Sequence, residues 1–132
     1  MSYSNLDKIT LRLAYNVVAG QHQYLHGHCS FVYRRDTPLS VELVFPDRRQ
    51  MICRRFLAIG MTEGYDDPEF SIRPVKAGVA ITFNFEPYQV VEFAHDELYD
   101  ALDASWRVVE QDREDEVFDL DAALTSLLRE SA

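Results

Sequence analysis

The stretch from Val79 to Phe93, with the pattern that follows it, most narrows the folds open to this chain. Val79, Ile81, Phe83 and Phe85 alternate with Ala80, Thr82 and Asn84. A period of two, rich in β-branched and aromatic residues, predicts a strand with at least one buried face. Pro87 has no N–H to give a central ladder, so Phe85-Glu86-Pro87-Tyr88 is expected to turn. Gln89-Val90-Val91-Glu92-Phe93 then returns antiparallel. From His95 the period changes: Leu98, Leu102, Ser105/Trp106 and Val109 recur at three and four, the spacing of an amphipathic helix. Asp96 and Glu97 in its first turn complement the positive end of the helix dipole. The unit is a hairpin whose apolar face needs a cover, followed at once by a helix able to supply one.

The rest of the chain adds strands to that hairpin. Ile9, Leu11, Leu13 and Tyr15 alternate with Lys8, Thr10 and Arg12, predicting a strand buried on one side. Gly20 to His28, polar and flanked by Gly20 and Gly27, is expected to be a flexible connection. Cys29, Phe31 and Tyr33 begin a second strand, and Val41, Leu43 and Phe45 form a third after the turn at Arg35-Asp36-Thr37-Pro38. Pro46 to Arg49 turns again into a short strand at Met51-Ile52-Cys53. Arg54 to Ile59 is expected to be a short helix with Gly60 at its C-terminal cap. Phe70 and Ile72 belong to a strand ended by Pro74, and Lys76-Ala77-Gly78 turns into the central hairpin. Glu110 to Val117 has the composition of a charged linker; Asp119 would cap a last helix with Leu120, Ala123, Leu124, Leu127 and Leu128 on one face. Strands joined by short turns with helices gathered at the end predict a single α+β domain over residues 1–132, a twisted antiparallel sheet of about seven strands.

Charge is informative by location. Residues 1–95 hold ten acidic and ten basic residues, while residues 96–121 hold eleven acidic residues against Arg107 and Arg113, so the formal charge of −9 resides in the second segment. An acidic face there, with Asp112, Glu114, Asp115 and Glu116 at its centre, is a candidate partner-binding surface; the simpler interpretation is a solvated face that maintains solubility. The apolar share is 47%, yet no run nears the ~20 residues of a membrane span, and Met1-Ser2-Tyr3-Ser4-Asn5 lacks a signal-peptide pattern. Cys29 and Cys53 do not make a disulfide framework and suit a reducing, cytoplasmic location.

No motif points to catalysis. The glycines, at positions 20, 27, 60, 64 and 78, fall in neither GxGxxG nor GxxxxGK spacing, and neither GxSxG nor CxxC occurs. The expectation is a non-enzymatic protein with no cofactor. His22, His26, His28 and Cys29 lie within eight residues and offer ligands that suit zinc. A single flexible loop would have to supply them all, however, so no metal centre is assigned. Arg34-Arg35, Arg48-Arg49 and Arg54-Arg55 are interleaved with Phe31, Tyr33, Phe45 and Phe56. Cations beside sheet aromatics can bind single-stranded nucleic acid, but an acidic chain lacks the surplus positive charge that phosphate binding needs.

Several of these residues form a pattern that resembles the actinobacterial SsgA-like proteins, regulators of sporulation-associated cell division. Leu11-Arg12-Leu13 is similar to that family's first strand, and Tyr33, Pro38, Val41 and Phe45 to its tyrosine, proline, valine and phenylalanine in the next two. Arg54-Arg55-Phe56-Leu57-Ala58-Ile59-Gly60 stands where the family has Arg-Asp-Leu-Leu-x-x-Gly, and Ile72-Arg73-Pro74 resembles its Val-Trp-Pro. The tail Phe118-Asp119-Leu120-Asp121, then Leu124 and Leu127-Leu128, is the most similar part. Gln50 and Arg73 replace tryptophans, and Arg55 replaces an acidic residue. The resemblance implies a fold like that of the whirly-type and guide-RNA-binding proteins, assembled as a homotrimer. It also implies an adaptor that helps localise the tubulin-like division protein FtsZ at septa, through FtsZ or a paralogous regulator.

Overall fold

The computed structural model describes residues 3–18, 24–84 and 89–110. A 3-10 turn at Tyr3–Asn5 leads into eight strands: β1 (Lys8–Val18), β2 (Tyr24–Arg34), β3 (Ser40–Val44), β4 (Arg49–Cys53), β5 (Tyr65–Asp66), β6 (Phe70–Val75), β7 (Gly78–Phe83) and β8 (Gln89–Phe93). Helix α1 (Arg54–Thr62) separates β4 from β5, and α2 (His95–Val108) follows β8. The strands form one antiparallel sheet in the order β4-β3-β2-β1-β8-β7-β6-β5.

The central hairpin is as expected: β7 and β8 pair from Val79↔Phe93 to Phe83↔Gln89. Its place in the sheet depends on β1. That strand pairs with β2 from Lys8↔Arg34 to Val18↔Tyr24, but meets β8 only at Tyr15↔Phe93, Asn16↔Glu92 and Val17↔Val91. The sheet therefore has two halves that share one long strand. Their inner faces meet where the Phe45 ring lies edge-on to Phe83, centroids 5.6 Å apart, and to Tyr15 at 5.2 Å. Helix α2 covers the rest with Leu98, Ala101, Leu102, Ser105 and Val108, all buried.

Four expectations change. Strand β6 runs through Pro74, paired with Val79, to Val75 rather than ending at the proline. The sheet has eight strands because Tyr65 and Asp66 pair with Ile72 and Ser71, a strand too short to show alternation. The flexible connection ends earlier than expected, since Tyr24 to His28 already belong to β2. Gly27 is part of the ladder, opposite Tyr15, and an added Cβ would lie 2.6 Å from the Tyr15 ring. It is glycine because an aromatic ring lies across it. Gly60 likewise lies inside α1, where a Cβ would come within 2.5 Å of Ile72. Helix α1 runs on to Thr62, and the residue with positive φ after it is Gly64, at 87°. The turn at 85–88, the linker from residue 111 onward and the last helix lie outside the described residues.

Candidate interaction surface

Strand parity divides the side chains of β1–β4 between two faces. Inward go Ile9, Leu13, Cys29, Phe31, Tyr33, Val41, Leu43 and Ile52, all buried. Outward, the register aligns Arg12 with Ser30, Ser30 with Val44 and Val44 with Arg49; a neighbouring row runs Thr10, Val32, Glu42, Met51. Val32 is only 7% exposed although it points outward, which fits coverage by the long side chains of neighbouring strands. Beside the Arg12 row lies an open depression of about 500 Å³, lined by Arg12, His28, Ser30, Val44 and Pro46 among others.

The histidines and the cysteine do not converge. His26 and His28 are exposed on the outward face, opposite Asn16 and Ala14, and His26 Nδ1 hydrogen-bonds the Asn16 side-chain oxygen. Cys29 points the other way, 3% exposed, and burial pushes its thiol up to about 12. A thiol held neutral in the core cannot join two outward imidazoles around an ion. His22 lies outside the described residues, among which no group of three metal-ligating side chains is assembled.

The arginine pairs and the rings do not share a face either. Phe31, Tyr33 and Phe45 are core residues, and no Phe, Tyr or Trp is outward among the described side chains of β1–β4. Phe56 is partly exposed on α1, stacked on Tyr65 with centroids 4.4 Å apart, away from those strands. Arg54 is fully buried. Its guanidinium lies 4.8 Å from the centre of the Tyr33 ring and donates to the carbonyl oxygens of Ser105 at 3.0 Å and Val109 at 2.6 Å. Tyr33 in turn donates to the Pro38 carbonyl at 2.9 Å. Arg54 is thus a structural link between the start of α1 and the end of α2, where a cation complements the helix dipole. Nothing in the doublet Arg54-Arg55 distinguished a buried arginine from an exposed one.

Of the two residues read above as replacing tryptophans, Gln50 is 5% exposed and donates to the Met51 carbonyl, while Arg73 is exposed and paired with Asp66. Hydrogen bonds from Arg73 and Ser71 lower the Asp66 carboxyl below the usual range. The acidic candidates Asp112, Glu114, Asp115 and Glu116 lie outside the described residues. Helix α2 nevertheless begins the acidic segment, with Asp96, Glu97 and Asp100 exposed and Asp103 paired with Arg107 at 3.1 Å. No described helix is long and apolar enough to cross a membrane.

No protein-family model and no curated protein matches the sequence. Solved structures do match. SsgB, mutations in which correlate to longitudinal cell division during sporulation of Streptomyces coelicolor, superposes with a TM-score of 0.78 at 17% identity, over 84% of this chain and 95% of that one. An SsgA-like sporulation-specific cell division protein from Thermobifida fusca gives 0.77 at 18% identity, over 96% and 98%. What is shared at such identity is the course of the backbone: this chain has the fold of SsgB and of that SsgA-like cell division protein.

Proposed function

We propose that this protein is a non-enzymatic regulator of sporulation-associated cell division, an adaptor that helps bring the division machinery, FtsZ included, to septa. The observation that carries the proposal is a fold shared over 84% and 96% of the chain with two proteins named for cell division during sporulation. The segregation of charge supports the same reading, because surfaces of single sign steer partners. The nucleic-acid alternative is less well supported: the inner rings of β1–β4 cannot stack on bases.

The test is to replace the protein in its own sporulating cells with a fluorescent fusion and to recover cross-linked partners. The expected result is septal foci and recovery of FtsZ or a paralogous regulator. Diffuse signal throughout septation, with no division protein recovered, would overturn the proposal. The acidic run acts here as a steering element. Reversing Asp112, Glu114, Asp115 and Glu116 to lysine is expected to leave folding intact and to slow association with a basic partner. Stopped-flow mixing at two salt concentrations checks this, since screening over ~8 Å near physiological ionic strength weakens the same attraction.

A further inference from the structure

An adaptor needs two contacts, and the acidic segment supplies at most one. On the outward face of β1–β4 the charge is of the opposite sign. Lys8, Arg12, Arg34 and Arg49 stand there against a single carboxylate, Glu42, which pairs with Arg34 at 3.8 Å. Arg12 and Arg49 are exposed and make no ion pair among the described residues. In a protein of formal charge −9, this basic patch is opposite in sign to the rest of the molecule.

The spacing of the patch specifies a ligand. Arg12, Ser30, Val44 and Arg49 lie in one row across four adjacent strands. Strands are ~4.8 Å apart, which puts the two arginine positions about 14 Å from each other. An extended chain rises ~3.4 Å per residue, so side chains four residues apart on it span nearly the same distance. With a period of two, the residue midway between them points to the same side. It would come down over Ser30 and Val44, beside the depression that Pro46 borders. With no aromatic ring outward among the described side chains of these strands, the row suits carboxylates flanking an apolar residue better than stacked bases.

We propose that the outward face of β1–β4 binds an extended acidic segment of a partner protein, with two carboxylates four residues apart on Arg12 and Arg49 and an apolar side chain between them over Val44. The proposal rests on the adaptor reading only for the existence of the partner, because the binding is measured with the protein alone.

The probe is a fluorescein-labelled peptide Gly-Ser-Glu-Ser-Leu-Ser-Glu-Ser-Gly, titrated with full-length protein, with amide shifts of isotopically labelled protein locating the contact. The expected shifts fall on the Arg12 row. Arg12→Glu with Arg49→Glu should weaken binding by at least about tenfold, with the circular dichroism spectrum and melting unchanged. Asp96→Lys with Asp100→Lys should not weaken it. A peptide of the same composition with its two glutamates adjacent should bind less well. Absence of shifts on this face, equal binding of the rearranged peptide, or displacement of the peptide by a twelve-nucleotide oligouridylate that binds more tightly would overturn the proposal. Septal recruitment that survives the Arg12/Arg49 reversal would remove this contact and leave the adaptor reading intact.

Discussion

Two buried side chains show how much of the fold rests on single residues. Arg54 starts α1, where a cation is disfavoured by the helix dipole, yet its guanidinium serves the last carbonyls of α2 instead. The Val109 carbonyl, at the C-cap, is one that no intrahelical N–H reaches, whereas the Ser105 carbonyl also accepts the Val109 N–H. In Arg54→Met the volume is nearly kept, but the Val109 oxygen loses the Arg54 donor, while the Ser105 oxygen keeps the Val109 N–H. Each buried acceptor left without a partner costs about 1–3 kcal/mol. We expect a loss of about 1–3 kcal/mol, with Arg54→Lys intermediate. Urea unfolding checks this, provided the midpoint falls at an unchanged m value. Cys29 makes a different prediction. Desolvation raises its thiol from an ordinary 9.0 to about 12, so the folded protein holds its proton more tightly than the unfolded chain. The resulting stability is fully present below pH 9 and declines as pH rises from there toward 12. Cys29→Ala should flatten that decline between alkaline melts. In native protein at pH 8, thiol reagents should modify the half-buried Cys53 first.

At the scale of elements, the glycines separate what patterning can show from what only packing can. Gly60 follows the last apolar residue of a short pattern, the ordinary position of a helix cap. It is instead the point where α1 comes close enough to β6 for an added Cβ to meet Ile72 at 2.5 Å. Gly60→Ala therefore sets a helix-propensity gain of roughly 1 kcal/mol against an overpacking cost of about 1–3 kcal/mol. We expect net destabilisation of about 1–2 kcal/mol, read by thermal melting, and no recovery when Ile72→Val is added, because valine keeps the Cβ and Cγ2 positions that the added Cβ meets. The central hairpin, α2 and the strands of the first half were legible because period and length agreed with burial over several residues at a time. The residues that misled, Gly27 and Gly60, are each glycine because of a partner far away in sequence, Tyr15 or Ile72. Local pattern carries no trace of such a partner. The polar connection was drawn too long for the same reason: once Gly27 is a ladder residue, His26 and His28 belong to β2 and parity sends both outward, with Cys29 inward.

For the whole molecule, the question is what else its surface must cover. Val44 and Val90 point outward from the sheet and are half-buried, so apolar residues occur at both alternations. Larger exposed apolar side chains occur on the strands, where Leu25 is 62% and Met51 48% exposed, and on the helices. On α1, Phe56 and Ile59 are one turn apart, 38% and 43% exposed, and on α2 Tyr99 is 49% exposed. Between the helices runs a groove of about 330 Å³ lined by Ala58, Met61, Thr62, Tyr99 and Trp106 among others. An apolar groove of this kind marks an association site more often than scattered exposed residues do. The resemblance noted from sequence implies a homotrimer, and this surface is one that could bury a neighbour. We therefore expect light scattering at micromolar concentration to give three times the 15.3 kDa chain mass. Ile59→Glu should reduce that mass to one chain with the circular dichroism spectrum unchanged, because the side chain is already partly in water. Arg12→Glu with Arg49→Glu, on the far strands, should leave the trimer intact. A wild-type mass of one chain would reject the trimer. A trimer that survives Ile59→Glu would move its interface away from α1, and the half-buried valines of the outward sheet face would then be the next surface to test.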